Sequence, residues 1–375
     1  MTEPVNIVLT ADGNYVVQIG VTMASILKNM APGRAVRFWL ITDGFSQGDL
    51  ARLDELRKIH DCEITNIRAG DHMRLIPRNS ATSVLHYLSD AVFYRLLMFK
   101  ILPPDVKRCA YVDCDMIVVT DLSEVYDSLP EGRLLSAVVE YNAMKFNDPH
   151  MDFHRRAPDF ARLFSEPRGY PYFNAGFFVA DIAAAKREKV FEQLVGYLAR
   201  HPDTPYNDQD ALNAVFGQKY RDRMRYLPLK YNFFSFSSAL PFEAGYYSKI
   251  DLGEAAKDVR IYHYSGLPKP WEKASPYFYV WWDYYAVSPF KGLKKPRGCA
   301  QGSSRRNSLV VKLFGIMLWR IADYGFKKKY YLFGFMPIWR SSYIYNVNKG
   351  FIPLLGNGCC FKIKGTLTGT GRIIP

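Results

Sequence analysis

Long apolar runs are missing from this sequence of 375 residues. The longest uninterrupted one, Leu313 to Trp319, falls far short of the roughly 20 residues that span a bilayer, so no membrane crossing is expected. Cysteine is scarce. Cys62, Cys109, Cys114, Cys299, Cys359 and Cys360 form no C-x-x-C pair and show no secretory spacing, which makes a reducing cytoplasm the expected setting. The N-terminus runs through Thr2-Glu3-Pro4 into a strand-like stretch without the basic and then apolar layout of a signal peptide, and no export is expected. No internal repeat is evident. Acid is nearly absent from the last quarter: from Lys291 onward sixteen Lys or Arg face one acid, Asp323, whereas residues 1–290 hold 33 basic and 35 acidic side chains. The overall charge of +13 therefore sits in the tail. A near-neutral body with a basic tail reads as an enzyme carrying an attachment surface for something anionic.

Hydrophobic residues make up 49% of the chain and aromatics 15%, enough apolar surface for a sizeable core and not the composition of a disordered protein. Short β-rich runs alternate with helical patterns, the signature of a mainly parallel sheet with helices on its faces. Strands are expected at Asn6 to Thr10, Val36 to Thr42, Cys62 to Ile67, Arg108 to Val112, Leu134 to Val139, Ala175 to Val179 and Val259 to His263. Ile19, Met23, Ile26 and Met30 recur at helical spacing, and Ser46-Gln47-Gly48-Asp49 is an S-x-x-D cap ahead of a helix carrying Leu50, Leu53 and Leu56. Further helices are expected around Ala91 to Ile101, stopped by Pro103-Pro104, near Lys186 to Arg200, and after Asn207-Asp208. Pro- and aromatic-rich loops between Asn142 and Tyr172 are of the kind that lines a substrate site. The body is expected to end near residue 289, followed by a basic linker through Lys294-Lys295-Pro296-Arg297 and Ser304-Arg305-Arg306.

Chemistry concentrates at Asp113-Cys114-Asp115. Two carboxylates two residues apart at the end of an apolar strand can converge on one hard divalent cation, which can bridge phosphate oxygens. By itself D-x-D also suits a solvated turn. Here it is enclosed by Tyr111-Val112 and Met116-Ile117-Val118, and charges inside a hydrophobic segment need a partner.

Tyr111-Val112-Asp113-Cys114-Asp115 resembles the D-x-D strand of family 8 glycosyltransferases. Four more segments match in the family's order: Ala11-Asp12-Gly13-Asn14-Tyr15, Tyr172-Phe173-Asn174-Ala175-Gly176, Asn207-Asp208-Gln209-Asp210, and the run from His263 through Gly266 and Lys269 to Trp271. The resemblance covers roughly residues 5–285. It implies an α/β fold of the GT-A nucleotide-diphospho-sugar transferase type, a mainly parallel Rossmann-like central sheet, here with a basic C-terminal extension.

It also implies roles. Asp113, Asp115 and His263 would hold a metal, Mn²⁺ or Mg²⁺, the N,O,O set favouring Mn²⁺. Ala11, Asp12 and Asn14 would contact uracil and ribose; Arg95, Asp113, Cys114, Asn174, Ala175 and Gly176 the donor; and Gly266 and Lys269 the diphosphate. Asp208 would fix sugar hydroxyls, Gln209 would lie near the anomeric carbon, and Glu140 near sugar and acceptor. Asp210 reads equally as a charge in the first turn of a helix, and Trp271 as packing. The implied activity is metal-dependent, retaining transfer of galactose or glucose from UDP-galactose or UDP-glucose to a hydroxyl of a lipid-linked glycan, such as lipopolysaccharide core. The alternatives are a protein-modifying family 8 enzyme and a non-catalytic binding module for nucleotide sugar or membrane surface.

In the tail, Tyr330, Tyr331, Phe333, Phe335 and Trp339 interleave with Lys327-Lys328-Lys329 and Arg340. Cations beside rings suit an anionic lipid interface. Residues 290–375 are therefore expected to dock on the inner face of the cell membrane rather than to form a solvated tail or bind nucleic acid, for which no module is recognised.

Overall fold

The computed structural model describes residues 3–77, 90–140, 171–202, 204, 206–234, 249–265, 269–272, 275 and 277–293, together with the backbone of five strands between 307 and 354. The expected loops between Asn142 and Tyr172 lie outside the described residues up to residue 170, as do the linker around 294–306 and Gly266.

Contacts divide the chain into two compact units, the first comprising 1–234, 243–265 and 280–297. Its centre is a seven-stranded sheet. The strands are β1 (Val5–Asp12), β2 (Val36–Asp43), β3 (Cys62–Arg68), β4 (Arg108–Val112), β6 (Leu135–Val139), β7 (Phe173–Asp181) and β8 (Met224–Leu227), in the order β3-β2-β1-β4-β7-β6-β8. The pairings of β1 with β2 and β4, of β2 with β3, and of β6 with β8 are parallel. Strand β7 runs against both its neighbours. The sheet is thus parallel-rich, with one reversed strand in its middle. A smaller sheet joins β5 (Met116–Val118), β10 (Ile261–His263) and β9 (Phe233–Phe234), with β10 central.

Local signals place most elements. Val5 through Ala11 are all buried, as a central strand covered on both faces requires, with Asn6 and Thr10 the two polar residues among them. Helix α1 (Val16–Asn29) buries Ile19, Met23 and Ile26, but also Gln18, Thr22 and Ser25 on its polar side. It packs against both β1 and β5, so the helix is covered on two faces rather than one. The polar residues are used there: Thr22 Oγ1 donates to the carbonyl of Met116 at 2.9 Å, Ser25 Oγ accepts from the Val118 amide at 3.0 Å, and Asn29 Nδ2 donates to the Val118 carbonyl at 3.0 Å. Helix α2 (Gln47–Asp54) opens with the expected capping box between Ser46 and Asp49. Helix α3 (Tyr94–Ile101) follows a 3₁₀ turn at Asp90–Phe93 and ends before Pro103, whose predecessor is barred from helical geometry. A short helix α4 (Leu122–Asp127) is capped by Asp121.

The single helix expected near Lys186 to Arg200 is two, α5 (Ile182–Arg187) and α6 (Val190–Arg200). Asp181 caps the first by accepting from the Ala184 amide at 2.7 Å, and Lys189 breaks the run in a left-handed conformation, φ 54°. Helix α7 (Asp208–Leu212) continues into a π-helical turn, Asn213–Lys219. Helix α8 (Lys249–Lys257) precedes β10.

The second unit comprises 235–242, 266–279 and 298–375. Within it, β11 (Asn307–Leu313), β12 (Ile316–Asp323), β13 (Lys327–Leu332), β14 (Met336–Asn346) and β15 (Gly350–Leu354) form an antiparallel meander in sequence order. Lys327, Lys328, Lys329, Tyr330, Tyr331, Trp339 and Arg340 lie on these strands, with Arg320 opposite Tyr331 and Lys329 opposite Arg340, whereas Phe333 and Phe335 lie outside the described residues.

Candidate active site

The parallel strands β1, β2 and β4 end together, and ligand-binding groups gather at that edge. Asp12 and Asp43 close β1 and β2 in register. Asp12 Oδ1 accepts from the Asn14 amide at 2.9 Å, shaping the loop that carries the exposed Asn14. Ala11 is buried just before it. Gly13 has no room for a side chain: a Cβ there would stand 2.9 Å from the Gly44 carbonyl oxygen.

Strand β4 delivers Asp113, and the turn to β5 delivers Cys114, half-exposed, and Asp115. Thr22 Oγ1 holds that turn by its bond to the Cys114 carbonyl at 3.0 Å. Because β7 is reversed, its beginning lies beside the end of β4, and the Asp113 amide donates to the Gly176 carbonyl at 2.8 Å. The register of β7 against β6 breaks between Ala137 and Val139. Asn174 to Gly176 occupy that irregularity, a place where bulges commonly re-aim side chains.

His263 arrives on β10, whose antiparallel pairing with β5 sets it opposite Met116. Its Nε2 is 3.4 Å from Asp115 Oδ1 and 3.9 Å from Asp113 Oδ2. One ligand atom from each of the three residues lies within 4.8 Å of the others. A divalent ion with bonds of about 2.1 Å needs ligands about 3 to 4 Å apart around it, and the two imidazole–carboxylate distances of 3.4 and 3.9 Å lie in that range. His263 Nδ1 is 2.8 Å from Asn232 Oδ1, a bond that turns Nε2 toward the carboxylates. Gly176 keeps the imidazole in place, since a Cβ there would lie 2.6 Å from His263 Cε1.

Arg95, expected to touch the donor, is buried on α3 and gathers the site's acids. Its Nη1 donates to the Ala175 carbonyl at 2.7 Å and lies 3.2 Å from Asp113 Oδ1, while its Nε is 2.7 Å from Asp208 Oδ2. The guanidinium also stacks 4.8 Å from the Tyr111 ring. Burial alone would lower the Arg95 pKa; Asp113 and Asp208 outweigh it and hold Arg95 above its ordinary value. Burial raises Asp113, with Arg95 opposing and Asp115 adding to the rise. Tyr111 Oη donates to Asp113 Oδ1 at 2.6 Å, and Thr10 stands 2.9 Å from the same hydroxyl.

On the sugar side of the motif pattern, α7 starts at Asn207, whose φ of 51° and ψ of −117° are unusual for a side-chain-bearing residue. Asp208 is buried, and burial pushes it up to about 6 against the pull of Arg95. Gln209 Oε1 accepts from the Ala175 amide at 2.9 Å and from Asn174 Nδ2 at 3.3 Å. Glu140 Oε2 accepts from Asn174 Nδ2 at 2.6 Å. Asp210 lies in the first turn, as its sequence position suggests, but it is fully buried. It accepts from Tyr172 Oη, from Thr204 Oγ1 at 2.6 Å and from the Tyr206 amide at 2.6 Å.

Burial outweighs these donors and lifts Asp210 to about 7. A carboxyl raised in the folded state stabilises the fold below its unfolded pKa near ~4 and loses that contribution as pH rises through its folded value. Stability is therefore expected to fall between pH 4 and 7 with a slope from Asp210 of up to about 1.4 kcal/mol per pH unit. Urea denaturation of Asp210→Asn at several pH values checks this; an unchanged slope would show that Asp210 is ionised throughout.

The structure thus joins Arg95, Asp113, Asp115, Glu140, Asn174, Ala175, Gly176, Asp208, Gln209 and His263 into one connected cluster. Lys269 belongs to the second unit, where its carbonyl accepts from the Glu272 amide at 3.0 Å, and Trp271 is buried. Sequence reasoning assigned no role to Thr22 or Asn232, and it quoted Tyr111 and Tyr172 only as members of the matching segments. Thr22 carried one signal, a polar group inside the apolar face pattern of α1.

A family model for glycosyl transferase family 8 matches residues 6–275. The chain belongs to this family. It is 23% identical over 301 residues to general stress protein A of Bacillus subtilis, covering 78% of this chain and 97% of that protein. To the lipopolysaccharide 1,2-glucosyltransferase of Escherichia coli K12 it is 25% identical over 299 residues, 77% of this chain and 80% of the relative. Among solved structures, galactosyltransferase LgtC with donor and acceptor sugar analogues superposes with a TM-score of 0.60 at 22% identity, over 78% of this chain and 99% of LgtC. The fold is accordingly that of GT-A glycosyltransferases, and the family places the chain among enzymes that transfer sugars. Among the described residues no helix is long and apolar enough to cross a membrane.

Proposed function

We propose that this family 8 glycosyltransferase moves a hexose, galactose or glucose, from a UDP-sugar to a hydroxyl of a lipid-linked glycan, with retention of anomeric configuration and with a divalent cation at Asp113, Asp115 and His263. The observation that carries the reading is the convergence of those three ligand atoms from two strands. Bound there, a cation would supply Lewis-acid stabilisation of charge on the departing diphosphate.

The chain's own groups do the rest. Asp113, Asp115 and Nε2 of His263 would hold the cation, with Asn232 hydrogen-bonded to Nδ1 on the other side of the ring. Asp12 and Asn14 orient the nucleotide from the loop after β1. Arg95 fixes Asp208, whose carboxylate orients sugar hydroxyls, and Ala175 fixes the Gln209 amide beside the anomeric carbon. An amide is a poor nucleophile, and the Asp208 carboxylate is engaged by Arg95 at 2.7 Å. The bond to UDP accordingly breaks to a short-lived oxocarbenium pair, and the acceptor hydroxyl attacks on the face UDP leaves, giving its proton to a phosphate oxygen. A covalent glycosyl adduct trapped on Asp208 or Glu140 would refute this route.

UDP release from purified protein, screened across UDP-galactose, UDP-glucose and other nucleotide sugars with Mn²⁺ or Mg²⁺, tests the reading. One UDP-hexose is expected to stand out, with Mn²⁺ the better ion; turnover undiminished by chelator would reject the metal. The glycolipid acceptor is supported by the named activity of the E. coli relative. The excess of base in residues 291–375 supports docking on an anionic membrane at the cytoplasmic face. Sedimentation with phosphatidylglycerol vesicles is expected to retain the full chain at low salt and release it at high salt; equal recovery with neutral vesicles would count against docking.

A further inference from the structure

Four buried side chains form a continuous file of hydrogen bonds from the candidate metal ligand to the candidate sugar site. His263, Asn232, Asn174 and Glu140 are 3%, 0%, 7% and 7% exposed. The bonds are His263 Nδ1 to Asn232 Oδ1 at 2.8 Å, Asn232 Nδ2 to Asn174 Oδ1 at 2.9 Å, and Asn174 Nδ2 to Glu140 Oε2 at 2.6 Å. Two side-chain amides in series could in principle point either way. Here the far end decides. The Gly176 amide, which can only donate, is 2.8 Å from Asn174 Oδ1, so that atom must be the oxygen. The Asn174 NH₂ then faces the Glu140 carboxylate, an acceptor when ionised. With Asn174 Oδ1 accepting, the group of Asn232 that meets it must be the NH₂, and Asn232 Oδ1 must face the imidazole. An oxygen there demands a proton on Nδ1 and leaves the lone pair on Nε2.

We infer that Asn232 is a positioning residue that fixes the Nδ1-protonated tautomer of His263, and that Asn174 transmits this choice from Gly176 and Glu140, so that metal and sugar sides are held as one polarised unit. Only the consequence for a cation rests on the function proposed above; the tautomer rests on the hydrogen bonds. A flipped amide at either asparagine would set two acceptors or two donors face to face inside the protein, at a cost of about 1–3 kcal/mol each.

The test uses the full chain labelled with ¹⁵N-histidine, without added cation, at alkaline pH. Two-bond ¹H–¹⁵N correlations report the tautomer of each ring, and His263→Gln assigns the signal. Wild type should show His263 protonated on Nδ1 alone; protonation on Nε2 would overturn the inference without any further variant having to fold. Asn232→Ala should mix the tautomers and weaken Mn²⁺ binding, titrated with UDP present, by about 10- to 100-fold. Asn232→Asp, which retains an oxygen facing Nδ1, should keep the tautomer. An unaltered tautomer in Asn232→Ala would remove the role assigned to Asn232. Asn174→Ala frees the Asn232 amide to flip and should also mix the tautomers, and an unaltered ring signal there would break the link to the sugar side. Because the ring is read without cation or donor, a failure here leaves the transfer reaction standing, and absence of transfer leaves the tautomer result intact.

Discussion

Asp115→Asn is expected to lower kcat/KM for sugar transfer by on the order of 10³-fold, the scale of losing electrostatic stabilisation aimed at a leaving group. The loss should appear in kcat more than in KM, since charge builds on the diphosphate oxygen only as the bond breaks. Stability separates this from damage to the fold. In the metal-free protein Asp115 is a like charge that pushes the buried Asp113 pKa upward, so its neutralisation relieves repulsion and the unfolding midpoint should stay or rise. A fall in activity of less than about tenfold, with the midpoint unchanged, would remove Asp115 from the ligand set.

Arg95→Leu should be the costliest single change to the fold. The guanidinium lies between two carboxylates, Asp113 and Asp208, whose side chains are 21% and 6% exposed. Replacing it with an apolar group leaves both without their counter-charge, and breaking a buried pair in this way costs about 3–5 kcal/mol. Loss of the bond to the Ala175 carbonyl adds to that. Urea denaturation should show the drop, and the double variant Arg95→Leu/Asp208→Asn should recover part of it because one stranded charge is gone. Equal stability of the single variant and the wild type would mean that the two acids are protonated or hydrated rather than paired.

Much of the body was legible because its signals are local. The apolar run before Asp113 gave β4 at Arg108–Val112, where it is found, and Ser46 with Asp49 marked a cap that the structure contains. The spacing of Ile19, Met23 and Ile26 located α1. It did not show that Thr22 and Ser25, on the flank of that stripe, are buried as well, because burial of a second face depends on β5, a strand from elsewhere in the chain. Arg95 was assigned to the donor by resemblance alone, and its burial could not be read from its helix for the same reason: the acids that pair with it come from the end of β4 and from α7. Asp210 read as a first-turn charge, and its position is right; that it is enclosed by Tyr172, Thr204 and the Tyr206 amide follows from packing.

The sequence alone determined the candidate ligand types and where each sits on its own element: two carboxylates at a strand end, an imidazole closing a short strand, a glycine that lets the backbone approach. Whether they meet was decided by the tertiary structure. Reversal of β7 sets Gly176 beside Asp113, and the register of β10 on β5 sets His263 opposite Met116. A register between distant strands is fixed by which faces the whole sheet can bury, and no window of neighbouring residues contains that information.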